Sequence, residues 1–495
     1  MNKKSGTKAK SGGGKVARLP RSSWSLAAVA FVGAALPLAA HATEIDWRLK
    51  ATLAGIADGG RDLGLGDADD TREGYIDATP WLHLQFNDDW AAFARVRLYA
   101  PTGELLQSGQ DNNNVAASDD AFVGLKELWF EYGGLTSYPG EALRIGRQRI
   151  RDDDTQFFDQ DIDALRWIFD TTLLDADLGV ARQFDTYRSD GVDIPAEQRD
   201  RTYAFGSIGW DWAARQRLGL RVVHASDDNE LPALGASPAS GERQTRGEQT
   251  WIKVALDNHP YDWRQVQPVS YWLSGTYLVG SRDRAVEGPA DPVDPANPGA
   301  RVVTARSDED VRAWAGDAGL RVRLGGPVQA GVAYAYSSGG DDDPGKQYEQ
   351  TGVQSNDSRF TGTRTQLYRF NEAFRPELGN LQAATAFVSV NAGAWDASVV
   401  YNKLRRPQEN APVLSDALRV GPTVAAHDLG QGVDVALTRY FDIAHQGGGE
   451  APAYTPDDVG DSSIRLRGSW FQPGDAYGPD ARDEYRVLAE FTLWY

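Results

Sequence analysis

The sequence predicts an all-β protein, an 18-stranded antiparallel transmembrane β-barrel with long extracellular loops and mostly short periplasmic turns. Three observations carry that expectation. Segments of roughly ten residues alternate apolar and polar side chains, the connections between them alternate short and long, and no run after the leader approaches the roughly 20 apolar residues a spanning helix needs. A chain that crosses lipid without such helices has to close its strands on themselves. An open sheet edge would leave backbone N–H and C=O groups unsatisfied in hydrocarbon.

The C-terminal segment shows the alternation plainly. Tyr485, Val487, Ala489, Phe491, Leu493 and Tyr495 share one face, and Arg486, Glu490 and Thr492 share the other. Upstream, Ile464, Leu466, Gly468 and Trp470 oppose Arg465, Arg467 and Ser469. The apolar face suits lipid and the basic face an aqueous lumen, because a cation facing lipid at mid-bilayer costs about 2–4 kcal/mol. The same period of two places Arg48 and Lys50, Arg95 and Arg97, Arg217 and Arg221, and Arg321 and Arg323 inward. Two segments keep an open register. Around 122–130, Lys126 and Glu127 fall on opposite faces, each with hydrophobic neighbours, and within 143–151 the residues Leu143, Ile145, Arg147 and Arg149 share a face.

In chain order, residues 1–42 come first, with seven basic groups from Lys3 to Arg21, an apolar run from Leu26 to Leu38 and the tripeptide Ala40-His41-Ala42. This pattern predicts a secretory signal cleaved before Thr43 and leaves 43–495 as a single barrel domain. Strands are expected near 45–57, 73–86, 89–100, 122–133, 141–151, 161–170, 173–184, 201–212, 215–226, 248–258, 268–282, 311–324, 327–338, 381–391, 393–404, 428–442, 462–473 and 483–495. The links at Asn87-Asp88, Thr171-Thr172, Ala213-Ala214, Gly325-Gly326 and Ala392 are tight; those at 101–121, 227–247, 283–310 and 339–380 are long and rich in Asp, Gly, Pro and Asn. An even strand count puts both termini on the short-turn, periplasmic side. The connection 443–461 breaks the rule, and its glycines at 447–449 suit a plug folded into the lumen.

Composition narrows the classes. Loss of the leader takes the formal charge from −19 to −26, which disfavours nucleic-acid partners. Zero cysteines exclude disulfide scaffolds, thiolate zinc sites and thiol catalysis. The acidic residues concentrate in predicted extracellular loops, at Asp67, Asp69, Asp70, Asp119-Asp120, Asp227-Asp228 and Asp341 to Asp343. There they suit a solvated surface beside lipopolysaccharide, with calcium as the one candidate ion, although no EF-hand spacing is present. No cofactor is otherwise expected. The six histidines include no Ser-His signature of a hydrolase, so an enzyme is not expected.

Several blocks carry a family resemblance. Leu135-Thr136-Ser137-Tyr138-Pro139-Gly140-Glu141, Leu143-Arg144-Ile145-Gly146-Arg147-Gln148-Arg149, Phe360-Thr361-Gly362-Thr363-Arg364, Glu372-Ala373-Phe374-Arg375-Pro376-Glu377-Leu378 and Pro473-Gly474-Asp475-Ala476-Tyr477-Gly478-Pro479 resemble the alginate export porins of Gram-negative outer membranes. The resemblance spans nearly all of the mature chain. It implies an anion-selective channel exporting an anionic polysaccharide, alginate first, from periplasm to cell surface; the alternative is a general anion or oligosaccharide uptake porin. It also implies a basic pore set of Lys50, Lys126, Arg149 and Arg465 with acidic partners Asp159, Asp190 and Glu490. Lys50, Arg465 and Glu490 agree with the inward faces read from periodicity, and Arg364, Arg467 and Arg486 are secondary candidates. Thr79, Asp357 and Gln366 stand where the family typically has arginine, with Arg359, Arg364 and Arg369 close enough in sequence to substitute. The resemblance further implies that 101–121 and 443–461 act as lids. Expected partners are a polyuronate, outer-membrane lipid with lipopolysaccharide, and periplasmic secretion proteins, with the barrel itself a monomer.

Overall fold

The computed structural model describes residues 42–59, 61–66, 70–101, 121–138, 140–195, 198–237, 245–264, 267–289, 301–341, 343–441 and 462–495. The predicted signal, residues 102–120 of the first expected lid and residues 442–461, which hold all of the second, lie outside the described residues.

Each expected strand has a counterpart. They are β1 (Glu44–Asp58), β2 (Thr71–Gln85), β3 (Trp90–Pro101), β4 (Phe122–Tyr132), β5 (Glu141–Arg151), β6 (Asp159–Asp170), β7 (Leu174–Arg182), β8 (Arg201–Ala213), β9 (Gln216–Asp227), β10 (Thr245–Asp257), β11 (Val269–Pro289), β12 (Arg301–Gly325), β13 (Val328–Ser337), β16 (Gln382–Ala392), β17 (Trp395–Arg405), β18 (Asp428–Phe441), β19 (Ser462–Pro473) and β20 (Glu484–Trp494). Two short strands, β14 (Asp357–Ser358) and β15 (Leu367–Tyr368), pair only with each other. Every long strand pairs antiparallel with its neighbours, β13 joins β16, and β1 joins β20 to close the barrel.

Period two sets the outer surface. Leu53, Ile76, Leu178, Val332 and Leu466 are exposed, as a lipid-facing band requires, while their sequence neighbours turn inward. Aromatic pairs mark its rims. Trp47 lies 5.5 Å from Tyr495 and Trp90 4.7 Å from Tyr132 at the periplasmic end, and Trp314 stacks on Tyr336 at 4.5 Å toward the other.

Two connections depart from expectation. β12 begins ten residues before the predicted edge, because pairing with β11 continues from Val311 out to Arg301. Arg282 and Arg284 of β11 pair there with Glu309 of β12, and these charges erase the apolar alternation. Of the connection expected as an extracellular loop at 339–380, residues 347–380 are instead packed inside the barrel. Its Tyr348, Phe370 and Phe374 join Phe157, Phe158, Tyr203, Trp251 and Leu278 in one apolar cluster on the inner wall. Polar contacts seat it as well. Arg369 lies 3.1 Å from Asp317 on β12, Thr365 Oγ1 is 2.9 Å from Thr438 Oγ1 on β18, and Asn371 Nδ2 donates to Asp434 at 3.0 Å. Residues 258–264 of the next turn also fold against the inner wall. Tyr261 packs on Trp272, and Arg321 donates to Pro260 O at 2.9 Å and to Phe360 O at 2.7 Å. Arg321 is therefore consumed in packing.

Candidate functional site: the charged inner wall

With 347–381 packed against β6 to β13 and β16 to β19, the inward charges that remain concentrate on β19, β20 and β1 to β6. Two local irregularities arrange them. On β4, Arg95 pairs with Glu127 and Val96 with Leu125, so Lys126 is an extra residue, a β-bulge. The bulge turns both Lys126 and Glu127 inward and resolves the open register of 122–130. On β5, pairing with β4 stops at Arg147 opposite Leu128, next to Gly146 at φ +122°. A Cβ at Gly146 would lie 2.3 Å from Leu128 O, so no other residue fits this kink.

Beyond the kink, the tip of the β5–β6 hairpin leaves the wall. The segment 187–189 takes its place on β4, with Leu125 N–H donating to Tyr187 O at 3.0 Å and Ser189 N–H to Val123 O at 2.9 Å. Lower down, Ile145 and Leu165 turn to lipid. Arg147, Arg149, Asp159, Asp161 and Asp163 share their parity, yet the tip carries these residues into the barrel, where Arg147, Asp159 and Asp161 are buried. Burial of so many charges is tolerated because opposite signs meet.

The ion pairs run in a connected series. Arg95 pairs with Glu127 and lies 4.0 Å from Asp161; Lys126 Nζ lies 3.7 Å from Asp161. Arg149 Nη2 donates to Asp159 at 2.6 Å, and Asp159 also accepts from Ser355 Oγ at 2.8 Å, which ties the wall to the packed segment. Arg151 lies 3.9 Å from Asp159 and donates to Asp357 O at 3.3 Å. Asp190 pairs with Arg188. Across the lumen, Arg465 Nη1 stands 3.5 Å from Glu490, which also accepts from Tyr75 Oη at 3.4 Å. Arg467 lies 3.9 Å from Glu372 and donates to Gln366 O at 2.8 Å, and Arg486 lies 3.4 Å from Asp58 at the outer end.

Lys50 differs from the rest. It registers with Thr79 on β2 and Trp494 on β20, its ammonium 5.8 Å from the Trp494 ring centroid, and it forms no ion pair among the described residues. Arg364 is placed toward the periplasmic end, over Tyr440 at 3.6 Å, donating to Gly393 O at 2.6 Å with Nε 3.6 Å from Asp396. Arg369 does not substitute for a missing arginine, since it is buried against Asp317 and Thr385 on the far side of the packed segment. At the other gaps, Asp357 is buried 3.6 Å from Arg375, and Gln366 offers its carbonyl to Arg467. Glu372, 2.9 Å from Arg375, went unseen in the sequence because its segment reads as an outer loop.

Among the described residues no group of three or more His, Asp or Glu could hold a metal ion; of the acidic clusters, Asp67, Asp69, Asp119, Asp120 and Asp342 lie outside the described residues. Asp227 is 3.8 Å from Arg201.

Comparison with known proteins agrees with this architecture. The chain is 37% identical to the alginate production protein AlgE of Pseudomonas aeruginosa, covering 94% of this chain and 96% of that protein. It is 32% identical to the proteins of the same name from Pseudomonas syringae pv. tomato (90% and 93% covered) and Azotobacter vinelandii (88% and 90%). Among solved structures, Pseudomonas aeruginosa OccK8 (OprE) superposes with a TM-score of 0.51 at 10% identity, covering 92% of this chain and 99% of that one. Pseudomonas aeruginosa OccK2 (OpdF) in complex with glucuronate gives 0.50 at 12%, covering 92% and 97%. At such identities these two share the fold. The alginate export family matches residues 48–487. A closed 18-stranded outer-membrane barrel, that match and the identity to full-length relatives together place this chain in the alginate export family.

Proposed function

We propose that the protein is an anion-selective outer-membrane channel through which an anionic polysaccharide, alginate before others, passes from periplasm to cell surface. The carrying observation is the gathering of inward Lys and Arg on β19, β20 and β1 to β6, beside the packed segment 347–381. In this reading Lys50, Lys126, Arg149 and Arg465 meet the polymer's carboxylates, while Asp159, Asp190 and Glu490 hold neighbouring cations in place. Arg364, Arg467 and Arg486 extend the path toward its two ends.

Arginine suits the task because its planar fork pairs with a carboxylate and keeps its charge at any working pH. Lys126, Arg149 and Arg465 each already have a carboxylate at hand, so a passing uronate exchanges with an existing partner and is not trapped. Weak binding at many sites is what conduction of a polymer requires. The names of the relatives point to alginate, and delivery to the periplasmic mouth calls for secretion proteins there as partners.

Purified full-length protein in a planar bilayer tests the reading. Anions are expected to permeate preferentially and soluble polymannuronate to block the current; cation preference, or indifference to the polymer, overturns it.

A further inference from the structure

We propose that a cavity between β3, β4, β5 and the segment 184–190 is a binding site for one small inorganic anion, a halide. The cavity measures about 20 Å³ and is lined by Arg97, Lys126, Arg147 and Arg188, with Phe122 and Thr186. Among the described residues four cations line it and no carboxylate does. Their acidic partners are not lining residues: Asp77 lies 2.7 Å from Arg97, Asp161 3.7 Å from Lys126 and Asp163 3.7 Å from Arg147, with Asp190 against Arg188.

Arg147 supplies the independent observation. It is only 5% exposed, and its Nη1 is buried without a hydrogen-bond partner, the nearest carboxylate oxygen being at 3.7 Å. A buried donor left without an acceptor is costly, more so on a charged group. The neighbours give no relief. The guanidinium groups of Arg188 and Arg97 lie 3.6 Å and 5.8 Å from the centroid of the Phe122 ring, positions that keep both beside the cavity. An anion accepting from Arg147 satisfies the donor and screens four like charges together; a water molecule does only the first.

Size selects the guest. A cavity of this volume holds about one water-sized occupant, so a sugar ring does not enter. The cavity shares Lys126 with the polymer path but takes an ion and not a sugar, so the proposal does not rest on which polymer passes. Its position gives it a role. Arg97 comes from β3, Lys126 from β4, Arg147 from β5 and Arg188 from the segment that replaces β5 on the wall, so the anion ties four elements where the sheet changes partners.

The experiment uses bromide as probe on crystals of the full-length barrel. An anomalous peak in the cavity beside Arg147 Nη1 is expected; density without anomalous signal overturns the proposal. In solution, thermal unfolding in chloride is compared with gluconate, an anion too large to enter, at equal ionic strength. Chloride should raise the melting temperature of the wild type, and Arg147→Gln should abolish the part of the shift that general salt effects do not explain. An equal shift in both proteins overturns the proposal. If Arg147→Gln does not fold, the wild-type bromide map decides alone.

Discussion

The side chains of Lys126 and Glu127, adjacent in sequence, both point into the barrel. Lys126 reaches Asp161 at 3.7 Å while Glu127 pairs with Arg95, because the bulge leaves Lys126 with no partner opposite it on β3. In a regular strand one of them would face lipid.

The pairing predicts how stability and selectivity separate. Lys126→Met leaves Asp161 buried with Arg95 at 4.0 Å as its remaining cation within ion-pair range, at a cost on the order of 3 kcal/mol. Adding Asp161→Asn should recover most of that stability without restoring the cation. Denaturant unfolding and bilayer recordings on the single and double variants check this. If Lys126 serves the pore, anion preference stays weakened in the double variant; full recovery of preference would make its role purely structural.

Much of the barrel was legible in the sequence, for a simple reason. Lipid on one face and water or polar packing on the other enforce period two, so residues such as Phe491 and Arg465 declare their sides. The lost information lies where that contrast fails. Arg149 and Asp159 keep the parity of lipid-facing Ile145 and Leu165 but ride on a hairpin tip that has left the wall, which depends on Gly146 and on a partner segment 40 residues away. Lys126 depends on a one-residue bulge that periodicity reads as ambiguity. Glu372 and Arg375 sit in a segment whose Gly, Asn and Pro content suits a loop, and only packing against distant strands shows it to be internal.

The kink at Gly146 should be intolerant of change. At φ +122° with Leu128 O 2.3 Å from any Cβ, Gly146→Ala must either strain the backbone by about 1–3 kcal/mol or hold the hairpin tip in the wall. The first outcome lowers the denaturant midpoint. The second would expel Arg149 from the lumen and reduce anion preference. A variant with unchanged midpoint and unchanged selectivity would refute this account of the kink.

Lys50 and Arg465 offer a direct test of the pore set. Glutamate at 465 would face Glu490, which now stands 3.5 Å from the Arg465 guanidinium, and glutamate at 50 would replace a cation with no ion-pair partner among the described residues. Combining Lys50→Glu with Arg465→Glu shifts the lumen by four charge units at two positions. Anion preference is expected to fall sharply or reverse, with the barrel still folded by its heat-dependent gel shift. Retained preference in a folded double variant would remove both residues from the selectivity set.

Asp357 predicts a pH signature. It sits in the packed segment, outside the spanning strands, where burial pushes its carboxyl up to about 7 and nearby Arg375 offsets only part of that cost. An acid whose pKa is raised on folding binds more protons in the native than in the unfolded state between its ordinary value of about 4 and the raised one. Its contribution is therefore fully present below about pH 4 and is lost as pH rises through about 7. Asp357→Asn removes the titration, and Arg375 keeps Glu372 at 2.9 Å as its partner. The variant should gain stability over the wild type at alkaline pH and lose that advantage in mild acid, by unfolding midpoints at about pH 5 and about pH 8. A wild-type-to-variant difference that is the same at both pH values would mean that Asp357 does not titrate in this range, and that its charge is held by Arg375 as firmly as the other ion pairs of the wall hold theirs.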